Sequence, residues 1–394
     1  MRLERQTIRA VVGRWSRLLK RRRAWLWVFL LLGIVGPGAL ISARAASQSG
    51  AFPVFACIQP NVNFWIAIFT RYSTRDFVIH DKEQITRVYE VFHLEGSGDP
   101  SPSEVEWVNA YLKAKYQNVL SNLGRGWPPL GADERHVAAL FPGATPISYL
   151  QALDNLRVQQ GMRERFRAAL VRADFYEPVI KRELIIEGVP TELAILPGVE
   201  SGFYLGARSH AGAVGLWQLT RSAAREHSLA VGGSYDQRYD VVRSTDAAAR
   251  ILRMNYERFG NWPLALTAYI YGTAGIAQAV DIYGNDFERI YTRFKGPHFG
   301  FASKNYYAEF LAALQVSQNR DSYFPGIREE IAAADPPDFE PPPQRAARVH
   351  YAVATGSRHS YVHHAVLRWH ARGHHRARHH GHHHKRHPVV TTRA

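Results

Sequence analysis

The chain has 394 residues, more than a single compact core normally needs, so two folded parts with tails are expected. Its formal net charge of +15 would suit a nucleic-acid binder, but residues 1–45 and 341–394 hold twenty of the 49 Lys and Arg against a single acid, leaving 29 bases and 33 acids between them. That mildly acidic body argues against a nucleic-acid groove, and a lone cysteine, Cys57, excludes an intrachain disulfide.

Residues 1–23 are basic and end in Lys20-Arg21-Arg22-Arg23. A short apolar run from Trp25 to Val35 follows, broken by Gly36-Pro37-Gly38, and Ala43-Arg44-Ala45 offers a small-residue cleavage site. This is the layout of a secretory signal peptide over 1–45. The alternative is an uncleaved membrane anchor, which wants about twenty apolar residues and is opposed by the Gly-Pro-Gly break. Either outcome exports the rest of the chain to the periplasm or cell envelope. Cys57 lies well beyond the apolar run and reads as a small apolar residue rather than a lipid attachment point.

Residues 46–187 read as a mostly helical upstream region. Ile85, Arg87, Tyr89 and Val91 alternate with Thr86, Val88, Glu90 and Phe92, which predicts a short strand with a helix as the alternative. Ser103 is expected to cap a helix from Glu104 to Leu123, with Val105, Val108, Leu112, Tyr116, Val119 and Leu123 near one face. Two more helices are expected at 146–173 and 176–187, with Arg163, Arg165, Arg167, Arg172 and Glu164 on a solvated face. No chemistry is visible here; the region is expected to pack beside the site or shape one end of a groove.

From Gly188 to about Gln318 the pattern is mainly helical, without sustained period-two alternation, so little sheet is expected. Pro190 suits a first helical turn. Leu193, Leu196 and Glu200 then recur at helical spacing, setting a carboxylate on a leucine-bearing face. A carboxyl against apolar surface is costly to ionise, so its pKa is expected to rise, and such an acid can protonate a leaving oxygen. Glu200 is therefore the candidate general acid. Beyond Asp335, Pro336-Pro337 and Pro341-Pro342-Pro343 make a stiff linker. His350 to Gly356 looks like the opening of a LysM wall-binding repeat, but no repeat follows. Residues 363–387 are His/Arg-rich and read as a disordered polycation, with transition-metal binding as the alternative. Such a tail is expected to hold the protein near anionic wall polymers or lipid head groups.

Four segments, GVPTELAILPGVESGF, SHAGAVGLWQL, ALTAYIYGTAGI and KNYYAEFLAAL, resemble in order and spacing the lytic murein transglycosylases of the SLT type, in particular the membrane-bound lytic transglycosylase D branch. The likeness runs from about Gln159 to Gln318, more weakly from Asn61. It implies a mainly α, lysozyme-like (α+β) fold of the goose-lysozyme kind over 188–325, with 326–394 as linker and tail. It also implies cleavage of the MurNAc–GlcNAc β-1,4 bond of peptidoglycan, leaving 1,6-anhydro ends, with no metal or organic cofactor. One residue would protonate the glycosidic oxygen and then take a proton from the C6 hydroxyl; Glu200 matches it. No second acid with a convincing motif is found near Glu200, and the tethered C6 nucleophile lessens the need for one.

The resemblance also assigns neighbours. Ser201 follows the acid and would fix the turn. Ser209 would contact substrate. Gln218 would bond an acetamido or hydroxyl group, and Trp217 would be a sugar platform or core. Tyr269 would line the cleft, and Tyr306 would bond Glu200 or the reacting sugar. One departure stands out: where the family has asparagine after Ala-Tyr, this chain has Ile270, which can make no hydrogen bond. Two rival readings follow: a hydrolytic muramidase on the same fold, and a non-catalytic peptidoglycan-binding scaffold.

Overall fold

A computed structural model describes residues 50–232 and 235–335; the leader, the proline linker, the LysM-like stretch and the His/Arg tail lie outside the described residues. Helix α1 (Gln59–Thr70) has Pro60 in its first turn and buries Val62, Trp65, Ile68 and Phe69. Strands β1 (Asp76–Asp81), β2 (Val88–His93) and β3 (Leu156–Gln160) form one antiparallel sheet in the order β2-β1-β3. Phe77 lies opposite Phe92 on β2 and Gln160 on β3. Successive β1 side chains point to opposite faces. Phe77 and Ile79 therefore join a smaller core with helix α2, while Val78 joins the main core.

The predicted strand exists but begins at Val88, because residues 82–87 are a turn whose Glu83 and Gln84 amides donate to Asp81 Oδ1 at 2.8 and 3.1 Å. Helix α2 (Pro102–Gly124) starts before the expected point. Its cap is Ser101, not Ser103: the Ser101 Oγ accepts from the Glu104 amide at 3.3 Å, and the Ser101 amide donates back to the Glu104 carboxylate at 2.7 Å. Each partner satisfies an amide the helix start leaves open. Ser101→Ala is expected to cost about 1 kcal/mol, read from the shift in a denaturation midpoint, with Ser103→Ala near neutral.

The helix expected at 146–173 is interrupted. After α3 (Ala132–Ala139), α4 (Pro146–Leu153) gives way to β3, and α5 (Arg163–Ile186) then runs unbroken through Pro178, merging the two expected helices. Backbone pairing to β1 overrides local helical pattern here, and Gly161 permits the close approach: a Cβ there would sit 2.2 Å from the Ser73 carbonyl oxygen. The arginine face of α5 is only partly solvated. Arg172 is half-buried and its Nε donates to the Gly202 carbonyl at 3.0 Å.

Downstream, a 3-10 turn (Thr191–Ile195) leads into the short α6 (Leu196–Glu200). Helices α7 (Arg221–Glu226), α8 (Val241–Phe259), α9 (Trp262–Tyr271), α10 (Thr273–Tyr283), α11 (Phe287–Arg293), α12 (Phe301–Gln318), α13 (Arg320–Tyr323) and α14 (Ile327–Ala333) follow. Asp240 and Asn261 cap α8 and α9 through their side chains. The architecture is mainly α with one small sheet, as expected. The main core packs α5, α8, α9 and α12 together, and α1 lies against α12. Asn305 on α12 ties that contact, its Oδ1 accepting from Asn61 Nδ2 at 2.8 Å and Trp65 Nε1 at 3.2 Å.

Candidate active site

Glu200 is the last residue of α6, whose five residues are all buried; its own exposure is 5%. The chain then bends through Gly202 and Phe203, both at positive φ, with the Phe203 amide donating to the Pro197 carbonyl at 3.0 Å. Ser201 is fully buried and its Oγ donates to the same carbonyl at 3.1 Å. It fixes the turn and does not reach the pocket.

The following loop is shaped by short bridges between Arg208, Val214 and Leu219. Gly215 has φ +80°, and a Cβ there would meet the Arg238 carbonyl oxygen at 2.2 Å, so only glycine fits. Arg238 is 1% exposed and pins the loop from beneath, donating to the Gly212 and Leu219 carbonyls at 2.9 and 3.0 Å and to Asp236 at 2.7 Å. Burial alone would raise the Asp236 carboxyl, but Arg238 prevails and holds it below the usual range. The loop carries Ser209, whose Oγ accepts from the Ala213 amide at 3.0 Å, and Gln218, whose Nε2 donates to the Gly215 carbonyl at 2.9 Å. Both line one pocket with Glu200.

Helices α9 and α12 form the facing wall. The Tyr306 hydroxyl donates to Glu200 Oε1 at 2.5 Å. Burial, reinforced by the charge of Glu200, holds that phenol well above its ordinary range, so it remains a donor. Tyr269 stacks on Tyr306 with ring centroids 6.3 Å apart and donates its hydroxyl to the Trp217 carbonyl at 2.9 Å, joining the loop to α9. Trp217, expected as platform or core, is core: it is fully buried, and its indole N–H donates to Thr245 Oγ1 at 2.9 Å. Ile270 lines the pocket, so the departure from the family asparagine falls in the site itself. Tyr306→Phe removes the hydrogen bond that steadies the Glu200 carboxylate, worth about 1.5–3 kcal/mol, and is expected to lower any turnover that passes through that carboxylate by about ten- to a hundredfold with the fold retained.

The sequence offers no second acid with a convincing motif around Glu200, but the structure brings one to the pocket. Glu309, one helical turn beyond Tyr306, lines the same pocket. Burial pushes its carboxyl up to about 8, with Arg157 opposing and the charge of Glu200 adding. The upstream region, in which no chemistry was visible, supplies Arg157 and Gln159 from β3 and Trp65 and Phe69 from α1 to the pocket lining. Among the described residues no group of three or more His, Cys, Asp or Glu is placed to hold a metal ion.

A buried carboxyl held by a tyrosine, in a pocket lined by serine, glutamine and aromatic side chains, is an arrangement that can hold and transfer a proton beside a bound ligand. Residues 177–290 match the family model of the transglycosylase SLT domain, so the resemblance read from the motifs holds for that segment. The chain is 32% identical over 180 residues to membrane-bound lytic murein transglycosylase D of Escherichia coli K12, covering 44% of this chain and 39% of the relative. It is 37% identical over 110 residues to a putative tributyltin chloride resistance protein of Alteromonas sp. strain M-1, covering 28% of this chain and 53% of the relative. It therefore spans about two fifths and about half of these relatives. Among solved structures, an inactive mutant of the lytic transglycosylase Slt from Pseudomonas aeruginosa is 22% identical, with a TM-score of 0.24 over 40% of this chain and 25% of that one.

Proposed function

We propose that this protein is an exported lytic transglycosylase that cleaves the MurNAc–GlcNAc bond of peptidoglycan and leaves 1,6-anhydro ends. The observation that carries the reading is the Glu200 carboxyl, 5% exposed, held by Tyr306 in a pocket shared with Ser209 and Gln218. Glu200 donates its proton to the glycosidic oxygen, breaking the bond to C1 of MurNAc. The resulting carboxylate then accepts the proton of the C6 hydroxyl as that oxygen closes on C1, so the acid is restored and no water is consumed. The NH2 of Gln218 is committed to the loop, which leaves its carbonyl oxygen as the group to meet a sugar hydroxyl or amide N–H.

A hydrolytic muramidase has gained a second carboxyl in Glu309. Two-carboxyl hydrolysis needs that second group ionised, as a base for water or a nucleophile. Glu309 holds its proton to about pH 8, which disfavours that role at neutral pH. The non-catalytic scaffold draws on Ile270 in the pocket. Digestion of purified sacculi with mass analysis separates all three: anhydro products support the transglycosylase, products heavier by one water support the muramidase, and no products support the scaffold.

The Escherichia coli relative is named as membrane-bound, and the envelope is the proposed location here. Among the described residues no helix is long and apolar enough to cross a membrane.

A further inference from the structure

The acid pocket is built in two halves, and the proposed reaction uses only one. Trp65, Phe69, Arg157, Gln159 and Met162 bring the upstream region to its wall. The cavity holds about 90 Å³, whereas a pocket for a whole small ligand typically runs to about 300–1,000 Å³. It has room for one substituent of a bound sugar, not for the ring. Two polar side chains of the upstream wall have unmet bonding capacity. Arg157 and Gln159 lie two residues apart on β3 and so share one face of the strand. Gln159 is 7% exposed; its Nε2 donates to the Gln160 carbonyl at 3.1 Å, and its Oε1 is buried with no hydrogen-bond partner among the described residues. Arg157 lays its guanidinium carbon 4.0 Å from the Phe301 ring centroid, and its Nε is likewise buried without a partner. Trp65 packs on the same Phe301 ring, centroids 6.3 Å apart, and on Phe69 at 5.8 Å. A buried polar atom left unpaired costs free energy, and native structures retain few. Here one acceptor and one donor belong to side chains that line a single small cavity with aromatic rings.

We propose that β3 forms an acetamido subsite of the acid pocket: Gln159 Oε1 accepts from the amide N–H of an N-acetylated aminosugar, an Arg157 N–H donates to its carbonyl, and its methyl group lies against Trp65 and Phe69. The inference rests on the peptidoglycan reading and names the sugar substituent the pocket selects. A bare anion would suit Arg157 but would face the Gln159 carbonyl and the Glu200 carboxyl. A bare cation would face Arg157. An amide offers both a donor and an acceptor and so satisfies both side chains at once. An acetamido group also ends at its methyl, while a peptide-stem amide continues in both directions and overfills a cavity of about 90 Å³.

The test uses stem-free glycan strands that are de-N-acetylated and then either left as amines or re-N-acetylated. They are titrated by calorimetry into the full chain carrying Glu200→Gln, so that nothing is cut. Adding Gln159→Leu is expected to weaken binding of the re-N-acetylated strands about tenfold, the scale of one hydrogen bond to a buried group, and to leave affinity for the amine strands within about twofold. Arg157→Met is expected to weaken the re-N-acetylated strands by a similar factor and not to weaken the amine strands. Unchanged affinity for the re-N-acetylated strands in both variants overturns the proposal. So does an equal loss for both kinds of strand, which marks a structural role, and so does no binding of re-N-acetylated strands at all. Re-acylation with propionic in place of acetic anhydride gives a measurement that needs no change on β3. The added methylene overfills the slot, and binding to the Glu200→Gln chain is expected to fall at least about fivefold. Equal binding of propionyl and acetyl strands overturns the subsite, and this comparison decides the matter alone should the β3 variants not fold. The proposed activity fails separately, when the wild type releases no anhydro products from sacculi, because every arm here reads binding without turnover.

Discussion

Glu200→Gln is expected to lower digestion of purified sacculi by about a thousandfold or more, since proton transfer by a placed side chain contributes on the order of 10²–10⁴ and in the proposed reaction this residue acts twice per turnover. The substitution keeps the shape of the side chain and a carbonyl oxygen for the Tyr306 hydroxyl, so the fold and glycan binding should be retained. Soluble muropeptide release measures the first, and co-sedimentation with sacculi the second. A variant that digests within tenfold of the wild type would remove Glu200 from the chemistry. A variant that neither digests nor binds would point to collapse of the pocket instead, which a denaturation midpoint would reveal.

The second large effect concerns a residue that touches no substrate. Arg238→Ala deletes a buried guanidinium that holds the Gly212 and Leu219 carbonyls and takes from the Asp236 carboxylate its ion-pair partner. Breaking one partner of a buried ion pair typically costs about 3–5 kcal/mol. The expected result is a denaturation midpoint lowered by several degrees, together with loss of activity, because Ser209 and Gln218 ride on the loop that Arg238 pins. The pair also predicts acid sensitivity. The Asp236 carboxyl is held below its ordinary range, so its contribution is present above the unfolded carboxylate pKa and is lost as pH falls through the lower folded value. In the wild type this loss should be visible below about pH 4, and in Arg238→Ala it should shrink, since the backbone amide of residue 238 still donates to Asp236 Oδ1 and the charge of Arg221 remains.

The helices were legible where burial is one-sided. The face of Val108, Leu112, Tyr116, Val119 and Leu123 is the buried face of α2. The proximity of Tyr306 and Glu200 was legible only through the order of the motifs, as they lie 106 residues apart. Strand β1 was not legible because nearly all of its residues are buried, Phe77 and Ile79 on one side and Val78 on the other, which erases the alternation that marks a half-exposed strand. Strand β3 was hidden for another reason: it is short, polar, and defined by its pairing to β1, a contact between residues about eighty positions apart. Glu309 could have been found, since it stands three residues after Tyr306 on one helix face, but no local pattern says that this face turns toward Glu200. Arg157 left no signal in the sequence, for its place at the pocket depends entirely on that strand pairing.

The joint formed by Asn61, Trp65 and Asn305 has a practical consequence. It fastens the first helix of the upstream region to the helix that carries both Tyr306 and Glu309. A recombinant piece beginning at Gly188, the point where the recognisable motifs start, would be missing Trp65, Phe69, Arg157, Gln159 and Met162 from the pocket lining and would leave Asn305 with its amide oxygen stripped of both donors. Anyone trimming this protein for crystallisation or engineering should cut ahead of Phe52, whose ring already packs on Phe310 at 4.9 Å, rather than at the boundary the motifs suggest.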